Sequence, residues 1–514
     1  MKTIRSIIFA FLAVNLLGVI FSSCIKEENF AEGREVTLSF GSDTVSFDTV
    51  FTTVGSVTKT LVVYNRESKP VKIDRVSLKN GTASYFRLNV DGDNSLVAKD
   101  VEIGAKDSMY VFVRVELNPN NQSNPLLVED EIVFAFNGKT QSVILQAYGQ
   151  DAYYHKPSHY LLSERNSGNG YDTIRYSLAD EGGEASGCIV SGNEIHWKSD
   201  KPHIILGNCV VDSAFVLNLE AGTKIHLNKG SEFWVYKDGT LKANGDISSP
   251  VAFESMRKDE HYATTAGQWG CLRFIAGSKN NTLDNVVIKN CTTGIIVDTC
   301  VNNVATLTLS NVRIENCSNI GLYSRGATVE AQNLIVQNCG SYAVALSLGG
   351  SYNFVHCTFA NYWRYNTRTK PCLILNDYYL DINNTLQYRP ITQANFYNCI
   401  IYGSLAAEEI EFDFINENSS EKHFENCIIK SEKYSNRTAG FVNCIFKDPM
   451  FNNASEGDLS VKQNSPAVAA GNGVWSYSVP YDINGTYRPD PPTIGAIEYM
   501  EQSAGKLFRS FRKR

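Results

Sequence analysis

The side chains that could carry chemistry in this sequence are aromatic and basic residues grouped in one irregular stretch. They are Tyr362, Trp363, Arg364, Tyr365, Tyr378 and Tyr379. Flat rings pack on the apolar faces of sugars, and nearby guanidinium groups bond the hydroxyls. Because binding residues concentrate in long excursions from a rigid scaffold, this group predicts a glycan-binding site. The alternative stays open that the rings cover the core beneath a long loop.

No set of catalytic residues accompanies the rings. A polysaccharide lyase needs a base and a cation beside a uronate, and a glycoside hydrolase needs two carboxyl groups across the sugar. The positions of Lys289, Glu315 and Gln337, each two residues before a cysteine, concentrate neither acids nor bases. Asp298 and Arg325 are expected to be neighbours in a surface ion pair. The histidines lack metal-ligand spacing, so we predict no catalytic residue, no metal and no cofactor.

The elements that must position these residues come from an internal repeat. Three segments align at their Asn-Cys ends, namely Asp284 to Cys291, Ser310 to Cys317 and Gln332 to Cys339. Shorter versions of the segment end at Cys357, Cys399, Cys427 and Cys444. The steps between these cysteines are 26, 22, 18, 42, 28 and 17 residues. The step of 42 is consistent with two turns of a solenoid or with one turn that carries a long excursion.

A repeat of about 22 residues is too short to bury a core alone and must stack on its neighbours. Short β-rich runs without a helical period predict a parallel β-helix over residues 188–499. Equivalent turn residues would then form ladders along the axis. The expected ladders are Asn290, Asn316, Asn338, Asn398, Asn426 and Asn443 for amides and Cys291, Cys317 and Cys339 for thiols. All seven repeat cysteines are expected at one position of the coil, mostly as buried, reduced thiols.

Several motifs outside the repeat carry a resemblance to a known family. They are Glu220-Ala-Gly-Thr-Lys-Ile225, Gly267-Gln268-Trp269-Gly270, Asp482-Ile-Asn-Gly-Thr-Tyr-Arg488 and Ile494-Gly-Ala-Ile-Glu498. With the repeats, they make residues 188–499 resemble the right-handed parallel β-helix lipoproteins of Bacteroidetes, a pectate-lyase-like solenoid. Cys271 stands where that family often has glycine. The resemblance implies the fold and little about activity, because much of the family has none assigned.

Residues 34–150 predict a different all-β domain. Six strands are expected, at Val36–Phe40, Val57–Asn65, Val71–Leu78, Met109–Glu116, Glu131–Phe136 and Ser142–Tyr148. Asn137-Gly138 between two alternating runs predicts a hairpin, because both turn positions require positive φ. Strand number and spacing are typical of an immunoglobulin-like β-sandwich. Val62-Val-Tyr-Asn65 and Val143-Ile-Leu-Gln-Ala-Tyr-Gly149 also resemble the hydin-like (ASH-type) immunoglobulin domains. Residues 151–187 are expected to be a linker or cap.

The first residues predict export and a lipid anchor. Lys2 and Arg5 precede an apolar stretch over residues 7–20, followed by Phe21-Ser-Ser-Cys24. This arrangement resembles a bacterial lipoprotein signal, which implies removal of residues 1–23 and acylation of Cys24. A plain secretory signal or an anchor helix is the alternative. Residues 24–33 then form a tether, and Glu27-Glu28 resembles the surface-export signal of Bacteroidetes lipoproteins. We therefore expect an outer-membrane lipoprotein, exposed at the surface rather than periplasmic.

Composition narrows the possible partners. The 514 residues have a net charge of −7, which argues against nucleic-acid binding; residues 500–514 form a basic tail. The count of 13 cysteines becomes even once Cys24 belongs to the anchor. The sequence favours a non-catalytic scaffold that contacts the membrane through acyl chains and binds a polysaccharide or cell-surface glycan. A polysaccharide lyase or glycoside hydrolase and a structural envelope protein remain alternatives, and the oligomeric state is open.

Overall fold

The computed structural model describes residues 29–51, 56–117, 126–164, 171–257, 262–299, 305–381, 383–416, 419–437 and 439–501. Residues 1–23, Cys24 and most of the basic tail lie outside the described residues, so the predictions of a signal segment, an acylated cysteine and a frayed tail remain predictions. The chain divides into two compact units, Met1–Gln150 and Asp151–Arg514. The regular secondary structure of each unit is almost entirely β-strand.

Two sheets form the first unit. Its strands are β1 (Leu38–Phe40), β2 (Thr44–Phe51), β3 (Lys59–Asn65), β4 (Val71–Leu78), β5 (Phe86–Val90), β6 (Val97–Ile103), β7 (Ser108–Val115), β8 (Leu126–Phe136) and β9 (Lys139–Gln150), with a 3-10 turn at Gly81–Ala83. The strand orders are β1-β3-β7-β5 and β2-β9-β8-β4-β6. Alternate side chains of both sheets, such as Val63, Val111 and Phe134, are buried in one core.

The tight hairpin between β8 and β9 confirms the prediction made from Asn137-Gly138. Phe136 pairs with Lys139 across the turn. Asn137 has a φ of 48° and Gly138 a φ of 67°, so both central residues are left-handed. This backbone matches the right-handed twist of the flanking strands, which is why asparagine and glycine are favoured there. The turn thereby fixes the register of the two longest strands of the unit.

The second unit is a parallel β-solenoid with two long sheets. The 19-stranded sheet contains Tyr153–His155, Cys188–Ser191, Glu194–Trp197, His203–Ile205, Val216–Leu219, Lys224–Leu227, Thr240–Asn244, Val251–Ser255, Asn281–Lys289, Leu307–Cys317, Thr328–Gln332, Ile335–Cys339, Ser351–Val355, Thr358–Asn361, Gln393–Tyr397, Ile400–Gly403, His423–Glu425, Ile428–Ile429 and Phe441–Val442. The ten-stranded sheet contains His159–Glu164, Tyr171–Leu178, Asn208–Val211, Phe233–Val235, Leu272–Phe274, Ile295–Asp298, Leu322–Arg325, Val344–Ser347, Leu373–Asn376 and Ile410–Asp413.

Small elements complete this unit. Two antiparallel ribbons pair Tyr378–Leu380 with Leu386–Tyr388 and Phe451–Asn453 with Asp458–Val461. Two 3-10 turns lie at Gly183–Ser186 and Ala454–Glu456, and a single-turn α-helix at Gly473–Ser476. Within residues 151–187, expected to be a linker or cap, the described strands already pair into both long sheets. No helix among the described residues has the length and apolar character needed to cross a membrane.

Each coil of the solenoid has three straight segments separated by corners. In the central coils, Leu309 pairs with Ala331, Ile314 with Val336 and Leu322 with Val344, always in parallel. The first two segments belong to the large sheet and the third to the ten-stranded sheet. In these central coils, alternate residues of the segments are buried in one continuous core. Stacked coils thus bury the core that one coil cannot bury alone.

The prediction that all seven repeat cysteines occupy one position of the coil is wrong. Cys317 pairs in register with Cys339 at the corner before the third segment. The later cysteines lie at the corner between the first and second segments, because Thr358 pairs with both Ile335 and Ile400. Cys291, Cys317 and Cys339 therefore form one column, and Cys357, Cys399, Cys427 and Cys444 form another. An Asn-Cys pair suits both corners, so the sequence motif alone did not separate them.

The long step between Cys357 and Cys399 is one coil with two excursions, which decides between the alternatives of the sequence analysis. Ser351 pairs with Gln393, a register step of 42 residues. One excursion is the loop over residues 362–371, and the other is the ribbon that joins Tyr378 to Tyr388. The loop leaves the coil before the segment Leu373–Asn376, and the ribbon leaves it after that segment. The six predicted glycan-binding residues therefore sit on two separate excursions.

The described cysteines form no disulfides, and ten of these eleven residues are buried. Burial raises the pKa of the Cys339 and Cys399 thiols well above the ordinary value. The reactive thiolate is therefore disfavoured, and the side chains act as small apolar packing groups.

We expect thiol titration of the unfolded, unreduced protein to find about ten free thiols, because the columns are packing elements and not disulfides. A reagent such as a chromogenic disulfide in denaturant measures them directly. The same titration after prior reduction gives the total. Finding fewer than about four thiols without reduction would contradict the assignment of the columns.

Candidate functional site

A ladder of three asparagines lies at the corner before the third segment. Asn316 Nδ2 donates to Asn290 Oδ1 at 2.7 Å, and Asn338 Nδ2 donates to Asn316 Oδ1 at 2.9 Å. All three have a φ between 53° and 63°, a left-handed conformation that asparagine tolerates better than most residues. Asn290 also donates to the carbonyl of Ala263 at 2.9 Å. We call Asn290, Asn316 and Asn338 the asparagine ladder.

A second asparagine column, which the sequence reading merged with the first, lies at the other corner. Its members are Asn285, Asn311, Asn333, Asn398, Asn426 and Asn443, all with positive φ, with His356 in the same column. Asn333 donates to Asn311 at 2.9 Å and accepts from Arg488 at 2.9 Å. The C-terminal segment bonds to this column, because Asn398 also accepts from the Asn472 amide at 2.8 Å. These contacts are structural, and the column is covered by the chain itself.

The asparagine ladder forms part of a cleft of about 350 Å³. The residues lining this cleft are Ala263, Thr264, Lys289, Asn290, Glu315, Asn316, Gln337, Asn338, Arg364, Tyr365, Ala454, Ser455, Glu456 and Gly457. We call it the ladder cleft. Its floor comes from successive coils, and its walls come from the segment around Thr264, the loop over residues 362–371 and the turn at Ala454–Glu456. Sequence positions far apart thus converge on one concave surface.

Of the predicted aromatic residues, Tyr365 alone supplies an exposed ring to the ladder cleft. Its side chain is 45% exposed, and its hydroxyl donates to the carbonyl of Thr264. The ring centroid lies 4.7 Å from that of Trp363, at an interplanar angle of 57°. Trp363 is buried beneath it, and its Nε1 donates to Asn366 at 2.8 Å. This wall of the cleft is therefore an aromatic pair in which the Tyr365 ring is exposed to solvent.

Two of the predicted binding residues have packing or bridging roles. Tyr362 is half-buried and makes an edge contact with Phe451, with centroids 6.3 Å apart. Arg364 Nη1 pairs with Glu456 Oε1 at 2.9 Å, so it joins the loop to the turn across the cleft wall. Trp363 and Tyr362 therefore follow the alternative interpretation, in which the rings cover the core beneath the loop. Arg364 and Tyr365 are exposed and line the cleft, and their binding role remains a prediction.

Tyr378 and Tyr379 lie elsewhere, in the ribbon beside the ten-stranded sheet. The Tyr378 hydroxyl donates to both carboxylate oxygens of Asp413 at 3.1 Å. Hydrogen bonding to that carboxylate is the main cause that raises the pKa of Tyr378. Tyr379 is 47% exposed and pairs with Gln387 across the ribbon. These two residues are not part of the ladder cleft.

A buried ion pair holds the loop that carries Tyr365. The Arg368 guanidinium donates to both carboxylate oxygens of Glu409, at 2.8 and 2.5 Å. Their side chains are 1% and 0% exposed. Arg368 also donates to the carbonyls of Asn361 and Lys370, at 2.9 and 2.5 Å. A bidentate pair of this kind fixes the orientation of both partners, so the loop is tied to the coil that follows it.

Charges around the ladder cleft are matched rather than concentrated. Lys289, which lines the cleft, forms an ion pair at 2.8 Å with Glu254, which lies outside the lining. Gln337 Nε2 donates to Glu315 Oε1 at 3.0 Å. Two cationic and two anionic residues line the cleft. Among the described residues, no group of three or more His, Cys, Asp or Glu side chains could hold a metal ion. The cleft offers hydrogen-bond donors and acceptors beside a ring, an arrangement suited to a neutral, hydroxyl-rich ligand.

Another groove, of about 490 Å³, lies in the first unit. Its lining includes Arg87, Leu88, Leu96, Phe112 and Arg114. None of the residues predicted to bind a sugar lies there, and Arg114 is engaged by Glu116 at 3.1 Å. The ladder cleft is therefore the candidate site, because it combines a predicted aromatic residue with the repeat that the sequence identified.

The sequence did not predict that Glu456 and Gly457 form a wall of the ladder cleft, nor that Lys289, Glu315 and Gln337 line it. Glu456 and Gly457 come about ninety residues after Tyr365, and no motif connects the two segments. Lys289, Glu315 and Gln337 were considered only as catalytic candidates, although their shared repeat position already predicted a common face. Trp269, from the motif Gly267-Gln268-Trp269-Gly270, is 1% exposed and donates to the carbonyl of Lys289 at 2.9 Å beneath that face.

Comparison with known proteins adds no family. No protein-family model matches the chain, and no curated protein matches it either. Solved structures with limited similarity include a family 123 glycoside hydrolase from Clostridium perfringens, at 11% identity over 23% of this chain and 27% of that one, with a TM-score of 0.17. The Vibrio cholerae VesB protease is 10% identical over 22% of this chain and 31% of that one, with a TM-score of 0.16. The E. coli chaperone DraB is 12% identical over 25% and 64%, also at 0.16. Similarities this weak carry no argument about fold or function.

Proposed function

We propose that this chain is a surface-exposed lipoprotein of the outer membrane that binds a glycan in the ladder cleft. The acylated residue is Cys24, supported by the basic, apolar and small-residue pattern that precedes it. The solenoid is a right-handed parallel β-helix that acts as a rigid scaffold. The first unit is an immunoglobulin-like spacer, supported by its nine strands in two sheets around one core.

One observation carries the binding proposal, namely the exposed Tyr365 ring beside a floor of amide and carboxylate groups. A sugar ring stacked on Tyr365 would bring its hydroxyls towards Gln337, Glu315 and Arg364, which supply donors and acceptors. The balanced charge of the lining favours a neutral sugar over a polyanion. The buried pair of Arg368 and Glu409 holds the Tyr365 loop in place before any ligand arrives, so little ordering entropy is lost on binding.

Replacing Tyr365 by alanine should weaken glycan binding about tenfold, because the lost ring contact contributes roughly 1–1.5 kcal/mol. The ligand is first selected by applying the purified protein to a glycan array, and its Kd is then measured by calorimetry. Tyr365→Phe should retain most of the affinity, since it keeps the ring. The matched control is Tyr236→Ala, which removes a ring of similar exposure, 46%, outside the cleft. Equal affinities of Tyr365→Ala and the unchanged protein would remove the support for this site.

The lipid anchor has its own test. Cells fed an alkyne-bearing fatty acid should incorporate the label into this protein, because acyl chains on Cys24 provide the membrane affinity. Cys24→Ser should abolish the label and release the protein from the membrane fraction. Labelling that persists in Cys24→Ser would contradict the proposed anchor.

A further inference from the structure

Three arginines converge at one corner of the ten-stranded sheet, away from the residues that line the ladder cleft. Arg273 and Arg325 lie on the strands that flank Ile295–Asp298. Arg325 Nη2 lies 2.5 Å from Asp298 Oδ1, and Arg273 Nη2 lies 3.6 Å from Asp298 Oδ2. From the sequence, Asp298 and Arg325 are expected to form an ordinary surface ion pair. One carboxylate in fact serves two guanidinium groups.

The third member, Arg389, reaches this corner from the end of the ribbon. Its backbone amide donates to the carbonyl of Asp377, and its Nη1 donates to Thr299 Oγ1 at 2.9 Å. Thr299 Oγ1 in turn donates to the carbonyl of Arg325 at 2.9 Å. The Arg389 guanidinium therefore lies next to the residue that follows Asp298. We call Arg273, Arg325 and Arg389 the arginine cluster.

Two glycines leave room for the Arg389 side chain along its path. A Cβ at Gly349 would lie 2.6 Å from Arg389 Cδ, and a Cβ at Gly326 would lie 2.8 Å from Arg389 Nη1. Both glycines also have positive φ, 83° and 72°. Any other residue at either position would displace the guanidinium from the corner. The placement of Arg389 is thus built into the packing of three coils.

The arginine cluster has more positive than negative charge. No Asp or Glu of the described residues forms an ion pair with Arg389, and residues 300–304, next to Thr299 in sequence, contain neither type. Asp298 is the carboxylate shared by the other two arginines, so the cluster has an excess of two positive charges. Asp298 is recessed at 13% exposure, whereas Arg325 is 37% exposed and Arg273 is 33% exposed. The positive groups therefore face solvent on a chain whose net charge is negative.

Aromatic rings border the arginine cluster. The Arg325 guanidinium lies 5.7 Å from the centroid of the Tyr323 ring. Burial lowers the pKa of Arg325, but the hydrogen bond and charge of Asp298 outweigh it, and Tyr323 and Tyr379 act in the same direction as Asp298. Tyr379, whose ring is 47% exposed, lies on the ribbon that ends directly before Arg389. Rings beside a cluster with excess positive charge offer a sugar face and an anion site together.

We propose that the arginine cluster binds the carboxylate or sulfate groups of an acidic glycan, at a second site distinct from the ladder cleft. Planar guanidinium groups match carboxylate and sulfate oxygens in a bidentate manner. Tyr379 and Tyr323 then contact the sugar ring that carries the anionic group. The site does not depend on the ladder cleft, because the two share no residue.

The test measures binding of polygalacturonate and heparin oligosaccharides of defined length to the full chain at physiological salt. Arg389→Gln is the variant of choice, because Arg389 is exposed and its removal leaves the pair of Arg325 and Asp298 intact. We expect Kd to rise at least fivefold, with a shallower dependence on salt concentration. Arg364→Gln, which removes one arginine in the ladder cleft, and Tyr365→Ala should leave this Kd unchanged.

Parallel titrations test other ligands that carry anionic groups. Inorganic sulfate, vesicles of anionic phospholipid and a single-stranded oligonucleotide are titrated into the same proteins. The proposal holds if an acidic oligosaccharide binds more tightly than all three and Arg389→Gln weakens it. It is overturned if no acidic oligosaccharide binds, if Arg389→Gln binds as tightly as the unchanged chain, or if vesicles or the oligonucleotide bind more tightly than the sugars.

Discussion

Replacing Arg368 by methionine should lower the free energy of unfolding of the second unit by about 3–5 kcal/mol, because it leaves the buried carboxylate of Glu409 without its partner. Both side chains are at most 1% exposed, so water cannot replace the lost guanidinium. The carbonyls of Asn361 and Lys370 lose a donor at the same time. Since Arg368 holds the loop that carries Tyr365, the variant should also bind the glycan more weakly.

Tryptophan fluorescence measures this effect selectively. All five tryptophans of the chain follow Gln150, so their emission during urea unfolding reports the second unit alone. The control is Arg364→Met, which breaks an ion pair whose partners are 46% and 63% exposed and should cost at most about 1 kcal/mol. The double variant Arg368→Met with Glu409→Leu should recover much of the loss, since no buried charge is left unpaired. A loss below about 1 kcal/mol for Arg368→Met would contradict the structure of this loop.

Acidification should destabilise the second unit through two buried histidines. His155 Nε2 and His203 Nδ1 lie 2.9 Å apart, with both rings stacked on Trp197. Burial lowers the pKa of His203 to about 4, despite the opposing charge of Asp200, and burial also holds the pKa of His155 well below its ordinary value. Below about pH 6.5 the unfolded chain therefore binds protons that the folded chain does not. Stability is fully present above that pH and is lost as the pH falls towards 4, by about 3 kcal/mol for His203 alone.

The measurement compares urea unfolding at pH 7.5 and 4.5 in the unchanged protein and in His203→Gln. Comparing the pH difference between the two proteins cancels the titration of groups that do not contact His203 and any loss common to both pH values. The unchanged protein should lose about 2–3 kcal/mol more than the variant between these pH values. An identical pH difference in the two proteins would show that the native environment of His203 does not disfavour its charged form.

The sequence predicted the inner strands of the first unit better than its edges. Each of the six expected strands overlaps an observed strand, whereas β2, β5 and β6 were missed. All three missed strands lie at the edge of a sheet. An edge strand has one hydrogen-bonded neighbour and tolerates charged residues, as Lys99, Asp100 and Glu102 show in β6. Its alternation of apolar and polar residues is therefore harder to separate from a turn.

In the second unit, the repeat predicted stacked parallel coils but not which corner each motif occupies. The later, shorter versions of the segment contain Phe354, Phe396, Phe424 and Phe441, whose rings stack between coils at centroid distances of 4.5–5.1 Å. In the earlier coils a small residue, Ala331, takes the same position. This column of the core thus changes from aliphatic to aromatic along the axis, while the Asn-Cys motif moves from one corner to the other. Only the register of pairing separates the two columns.

The candidate site was predictable in its residue types but not in its geometry. Four aromatic or basic residues in a row indicated a loop with rings, yet the sequence could not show which ring faces solvent. Trp363 packs against Gly340 of the preceding coil, where a Cβ would lie 3.3 Å from Trp363 Cζ2. Tyr365 then covers Trp363 and keeps one exposed face. Such a division depends on contacts between coils, which no local pattern records.

The most direct test of a glycan site in the ladder cleft is a crystal structure of the protein with the neutral oligosaccharide selected on the array. We predict a sugar ring stacked on Tyr365, with hydroxyls hydrogen-bonded to Gln337 and Glu315 and no displacement of the pair of Arg368 and Glu409. Electron density for the sugar at another surface, with the ladder cleft open and filled by water alone, would contradict the assignment.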